Sequence, residues 1–176
     1  MLVEIDLDLA ETARQAGCAC SGVLHSARYP RKPRGLPSDH RGDDRRASFC
    51  CATCRRRTTP ASVRFLGRRI YLGAMVVLAT ALQQGPSPWR LKRLRELFGV
   101  SRQTLVRWRT WWTEALAESE FWKAARASFS PPVAVAAAPS SLLERFAGEA
   151  QDQLAALLRL LAPLSTTKGY VPDRCR

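Results

Sequence analysis

Four cysteines stand in two close pairs, Cys18-Ala-Cys20 and Cys51-Ala-Thr-Cys54, with thirty residues between them. Each pair can turn both side chains to one side of a tight turn or extended segment. Two such pairs supply four thiolates, the soft tetrahedral set that zinc favours. The C-x-x-C half has zinc-knuckle spacing, while the C-x-C half is one residue tighter than usual. Cys50 adjoins Cys51 and on a strand would face the other way, as a core thiol rather than a ligand. His25, five positions after Cys20, could replace one thiolate, serve as an ordinary strand histidine, or meet a phosphate. Cys175, near the end, reads as a bystander. The competing readings of the cluster are buried free cysteines or a redox pair. A catalytic zinc needs an open position beside a general base, and neither H-E-x-x-H nor H-x-E occurs. The expected metal is therefore a structural Zn2+, holding a segment too loop-rich to fold unaided.

A second chemistry lies in Leu91-Lys-Arg-Leu-Arg-Glu-Leu-Phe-Gly-Val-Ser-Arg-Gln-Thr-Leu-Val-Arg-Trp108. Leu94, Leu97 and Phe98 make an apolar face for one helix. Gly99 supplies the left-handed residue of a tight inter-helix turn. Val100 plugs the angle, and Ser101 is a natural N-cap for the next helix. Leu105, Trp108 and Trp112 continue a buried stripe, which leaves Arg102, Gln103, Val106, Arg107 and Arg109 exposed. Arg and Gln read guanine and adenine bidentately from the start of a recognition helix. The alternative is an αα-hairpin inside an unrelated helical core. Trp108, Trp111, Trp112 and Trp122 fit a core at helical spacing better than a base-stacking platform.

Charge supports a polyanion partner. The 176 residues carry 28 Lys+Arg against 15 Asp+Glu, and only four of the cations are lysines, although a GC-rich genome also favours arginine. Residues 28–69 have a net charge of +10 and residues 89–109 of +6, whereas residues 1–27 come to −3 and residues 70–88 to zero. Arg31, Lys32 and Arg34, interleaved with prolines and Tyr29, form an extended basic arm. Arg55, Arg56 and Arg57 form a second run directly after the second cysteine pair. Closing a metal site would bring both arms together as a phosphate-facing surface. No apolar run reaches the ~20 residues of a membrane span. The acidic start differs from a secretion signal, so the expected location is cytoplasmic, nucleoid-associated if the source is bacterial.

These groups need a scaffold, which periodicity supplies. The fold class expected is mainly α with a small β zinc-ribbon. Residues 1–66 would form the ribbon module, starting with a strand over Leu2 to Leu9, where apolar and acidic residues alternate. Residues 67–129 would form a three-helix module, with helices over 68–84, 89–98 and 101–118, the first closed by Gly85-Pro-Ser-Pro88. A Pro/Ala linker over 130–140 would lead to an amphipathic helix, 141–161, within the segment 141–163, and then a tail, 164–176. The helix has a near-heptad seam through Leu143, Phe146, Ala150, Leu154, Leu157 and Leu161. It could pair with a second copy in a homodimer or fold back as an intramolecular strut.

A ribbon with four cysteines, then Arg57-Thr-Thr-Pro60 running into an apolar helix, then Leu-Phe-Gly-Val-Ser-Arg-Gln-Thr-Leu-Val-Arg-Trp, resembles the N-terminal region of insertion-sequence transposases. The resemblance covers about residues 18–118. It implies that Cys18, Cys20, Cys51 and Cys54 bind the metal and that Arg102, Gln103 and Arg107 face DNA. Arg95 departs from it, standing where such motifs have a small residue. No carboxylate triad follows Trp112, so the resemblance implies an accessory or truncated form, with room for a separate transposase as partner. The function expected is a zinc-stabilised, sequence-specific binder of duplex DNA rather than an enzyme. The alternative is a zinc-ribbon RNA-binding protein with the helices as scaffold.

Overall fold

The structure is a computed structural model that describes residues 1–31, 36, 44–66, 70–83 and 87–166. It is mostly helical, with a small antiparallel sheet. The first element is a helix, α1 (Leu2–Gln15), where alternation predicts a strand. A half-buried strand would hide Val3 and Leu7, but these are 36% and 44% exposed. The period that wins is helical: Leu2, Ile5, Asp6, Leu9 and Ala10 share one face, and Ile5, Asp6 and Ala10 are buried.

Strands β1 (Leu24–Pro30) and β2 (Arg45–Cys51) form an antiparallel pair from Leu24 opposite Cys51 to Pro30 opposite Arg45. The short β3 (Arg57–Thr58) completes a three-stranded sheet in the order β1-β2-β3. A second hairpin, β4 (Phe65–Leu66) with β5 (Ile70–Tyr71), leads directly into α2 (Leu72–Gln83). Leu72, Ala74, Met75, Val76, Leu78 and Ala79 of α2 are buried. A helix apolar on nearly every side belongs at the centre of a bundle, and α2 is packed by both halves of the helical region.

Two helices then meet at a tight turn, α3 (Pro88–Phe98) and α4 (Arg102–Thr110). Gly99 takes φ +58°, Val100 is buried, and the Ser101 hydroxyl accepts the Thr104 backbone N–H at 3.2 Å. Leu94 and Phe98 pack inward as expected, whereas Leu97 is 45% exposed and leaves the apolar face. The helix expected over 101–118 runs on past α4 through a π-helical turn, Trp111–Ala115, into α5 (Leu116–Glu118). The wider turn accommodates adjacent indoles: Trp111 and Trp112 are both buried and meet edge to face at 5.0 Å. Ser119 caps a further helix, α6 (Glu120–Ala125), whose Trp122 stacks on Phe129.

The C-terminal region differs from the expected linker and single long helix. Within 130–140, Val135–Ala137 form a turn of 3-10 helix and Ala138 is fully buried, so this stretch is packed against the core. Two helices follow, α7 (Ser140–Leu143) and α8 (Ala150–Leu161), interrupted where Gly148 takes φ +96°. Glu149 and Asp152 cap α8 reciprocally, side chain to backbone in each direction. Leu157 and Leu161 of the expected seam, and Leu158 beside it, are buried in the common core, and α8 packs on α2. The strut arrangement therefore occupies much of the face that the heptad pattern offered to a second copy. Residues 167–176 of the expected tail lie outside the described residues, as do Gly85 and Pro86. No helix among the described residues is long and apolar enough to cross a membrane.

Candidate metal centre and cationic faces

The two cysteine pairs arrive from opposite sides. After α1, Gly17 at φ +68° reverses the chain, and Cys18 and Cys20 lie in the connection to β1. Cys51 ends β2, and Cys54 lies in the turn to β3, which is closed by Cys51 N–H to Arg56 O at 3.0 Å and Arg55 N–H to Cys51 O at 3.1 Å. Arg55 adopts φ +58° to make that turn. Gly22 lets the two segments touch. A Cβ there would stand 2.5 Å from Cys51 Sγ and 2.6 Å from Thr53 Oγ1, so no other residue fits without displacing both.

The result is four sulfur atoms all within 4.8 Å of one another. Cys18 Sγ lies 3.5 Å from those of Cys54 and Cys20, and Cys20 Sγ lies 3.4 Å from that of Cys51. A tetrahedral ion with metal–sulfur bonds of ~2.3 Å sets its ligands about 3.8 Å apart, so the cluster could hold one metal ion. Cys51 is fully buried and Cys18 half-buried, while Cys20 and Cys54 reach solvent.

The cluster polarises its own thiols. The Cys54 backbone N–H, 3.5 Å from Cys51 Sγ, is the main cause of a Cys51 thiol pulled down to about 6 against the opposing effect of burial, and Cys20 assists. Cys54 goes the other way. The Arg56 backbone pulls it down, but the neighbouring thiols of Cys18, Cys20 and Cys51 together with burial outweigh this, and it is pushed up to about 12. Four sulfurs this close cannot all ionise without a cation to balance them, which is what a divalent metal supplies.

Cys50 faces away from the cluster, half-buried, with Sγ 3.6 Å from Arg55 O. His25 lies opposite Cys50 on β1, exposed and outside the sulfur group. Cys175 lies outside the described residues.

The cations divide into three kinds. On α4, Arg102, Gln103, Val106, Arg107 and Arg109 are all exposed, as is the capping Ser101, while Thr104, Leu105 and Trp108 of the same helix are buried. Val106, at 56% exposure, is the apolar residue in this polar row. Beside the sulfur cluster, Arg55, Arg56 and Arg57 are exposed, and the Arg57 guanidinium lies 5.1 Å over the Tyr29 ring. Arg31 is half-buried; Lys32 and Arg34 lie outside the described residues.

The third kind is structural, and charge counting missed it. Arg64 is buried and donates through Nε to Asp6 Oδ2 at 2.8 Å. The Asp6 carboxylate also accepts Ser62 Oγ–H and the Val63 backbone N–H, each at 2.7 Å. Arg46, likewise buried, donates to the carbonyls of Pro60 at 2.9 Å and Ser165 at 2.7 Å. Its pKa falls to about 10 because burial disfavours the cation and Arg31 repels it, with Asp6 partly offsetting both. These arginines staple α1, the sheet and the C-terminal turn together, so the basic block over 28–69 presents less charge to solvent than its net +10 suggests. One signal was available: helical phasing puts Asp6 on the face of Ile5 and Leu9, where a carboxylate demands a buried partner.

No protein-family model, curated protein or solved structure matches this chain.

Proposed function

We propose that this chain is a zinc-stabilised, sequence-specific duplex-DNA-binding protein, with a role accessory to an insertion-sequence transposase supplied as a separate chain. The observation that carries the reading is the division of α4: Arg102, Gln103, Val106, Arg107 and Arg109 face solvent while Thr104, Leu105 and Trp108 anchor the helix. A helix so anchored at a tight turn can enter the major groove with Arg and Gln set against base edges. Zinc is the metal that a four-thiolate set of this compactness suits best. Holding the cluster closed would keep Arg55, Arg56 and Arg57 at one edge of the sheet, where they serve as phosphate contacts that add affinity without sequence information.

Selection from a random duplex library, with elemental analysis of the same preparation, tests both halves. An enriched motif whose preference relaxes in Arg107→Ala or Gln103→Ala, with about one zinc per chain, is the expected result. Tighter binding to structured RNA than to any duplex would overturn the DNA assignment, because the deep, narrow RNA groove does not admit an α-helix.

A further inference from the structure

The solvent face of α4 has an apolar centre. At about 100° per residue, Arg102 and Arg109 lie about 40–60° to one side of Val106, and Gln103 and Thr110 about 40–60° to the other. All five are exposed, and Val106 keeps 56% of its surface in solvent. Arg107 stands further round, at about 100°, and donates from Nη2 to Thr104 Oγ1 at 3.5 Å. Its guanidinium therefore leans away from Val106, along the flank of the helix. The opposite side is fixed: Thr104, Leu105 and Trp108 are buried, and the Ser101 cap holds the first turn. A single exposed valine is ordinary on a protein surface. This one is a poor helix former set in the middle of a face otherwise built of hydrogen-bonding groups.

What such a centre can meet follows from the chemistry of base edges. In the major groove guanine shows acceptors, cytosine an amino donor, and adenine one of each, whereas thymine alone shows a methyl group beside its acceptor. A polar edge pressed against Val106 loses its water and gains no bond, which disfavours it. The thymine methyl has no bond to lose and gains an apolar contact. Arg102 and Gln103, one turn before Val106, supply the bidentate donors for guanine or adenine. Side chains at that spacing stand ~5–6 Å apart, less than two base-pair steps of roughly 3.4 Å.

We propose that Val106 is a specificity-determining residue that reads the 5-methyl group of one thymine, within two base-pair steps of the base met by Arg102 or Gln103. The inference rests on the duplex-DNA reading of α4 and names what the apolar centre of that face selects. Burial of one methyl group corresponds to roughly a fourfold change in affinity. The effect is small beside the loss of a bidentate contact and is confined to one position of the target. Uracil lacks the methyl group, so the same side chain favours thymine-containing DNA over the uracil-containing equivalent.

Anisotropy titrations of the full chain test it, on the duplex enriched from a random library, with each thymine of the motif replaced singly by deoxyuridine. That exchange removes the methyl group and leaves every hydrogen-bonding group in place. The expected result is one position at which deoxyuridine weakens binding roughly fourfold. At that position Val106→Ala should bind the thymine and deoxyuridine duplexes alike, whereas Val106→Ile should keep the preference. The fold survives both changes, because Val106 is exposed and alanine is the better helix former. A motif without a required thymine, a motif insensitive to deoxyuridine throughout, or a methyl effect undiminished in Val106→Ala would overturn the inference while leaving sequence-specific duplex binding intact. Recovery of no enriched duplex would overturn the DNA reading and this inference together.

Discussion

Replacing Asp6 with alanine should destabilise the protein far more than removal of a surface acid from a net-cationic chain. The carboxylate is buried and accepts three short bonds, from Arg64 Nε, Ser62 Oγ and the Val63 backbone. Truncation strands the Arg64 guanidinium, which is also buried and keeps a bond from Nη2 to Arg45 O at 3.0 Å. Breaking a buried ion pair from one side costs about 3–5 kcal/mol. Against a total stability of ~5–15 kcal/mol, that is a large fraction. At ~2–4 °C per kcal/mol for a chain of this size, the melting temperature should fall by roughly 6–20 °C. Urea unfolding followed by the fluorescence of the four buried tryptophans reads the loss. Adding Arg64→Met should recover part of it, with a coupling of ~1–3 kcal/mol, since the second change removes the stranded charge. An Asp6→Ala variant within ~0.5 kcal/mol of the parent would refute this account and with it the placement of α1.

Cys51→Ser should abolish stoichiometric metal binding by the purified chain, whereas Cys50→Ser should leave it intact; elemental analysis separates them. Metal uptake at pH 7 should release protons into a weakly buffered indicator solution, because Cys54 holds its proton up to about 12 until a cation displaces it, and acidification should weaken binding. Gly22→Ala should lower metal affinity with every ligand still in place, since its Cβ would meet Cys51 Sγ; competition with a chromogenic chelator measures the change. Losing Arg107 or Gln103 should cost about 1–3 kcal/mol on the preferred duplex and little on others, whereas neutralising Arg55, Arg56 and Arg57 together should weaken all sequences alike and flatten the salt dependence of a titration.

The sulfur cluster was legible because ligand chemistry dictates residue type, and pairing β1 with β2 then sets the two cysteine turns side by side, with Leu24 opposite Cys51. The turn between α3 and α4 was equally readable, through Gly99, Val100 and Ser101, each of which performs a local task in its own backbone. What sequence could not show was set by tertiary context. The alternation of Leu2 to Leu9 satisfies a strand and a helix at once, and only the partners waiting for Ile5 and Asp6 decide between them. Leu97 belongs to the apolar pattern of α3 but faces outward, whereas Leu94 and Phe98 satisfy the contact with the core. Arg46 and Arg64 look like any other cations of a basic segment, because the carbonyls and carboxylate that receive them are distant in the chain. The seam over 141–161 promised one helix, but Gly148 and the capping pair Glu149 and Asp152 start a new one.

The bond from Arg46 to the Ser165 carbonyl spans 119 residues, and that separation has a consequence for how the protein is made. At ~5–20 residues per second, a ribosome delivers the acceptor roughly 6–24 s after the donor. Throughout that interval the guanidinium lacks one of the carbonyls that justify its burial, so the nascent sheet cannot close over it and must wait, hydrated, for Ser165. The cysteine turns can be formed long before then, which puts metal capture early and the sealing of the sheet late. A chain halted before Ser165 would therefore hold a gathered metal site on an unsealed sheet, open to quality-control proteases that the finished protein escapes.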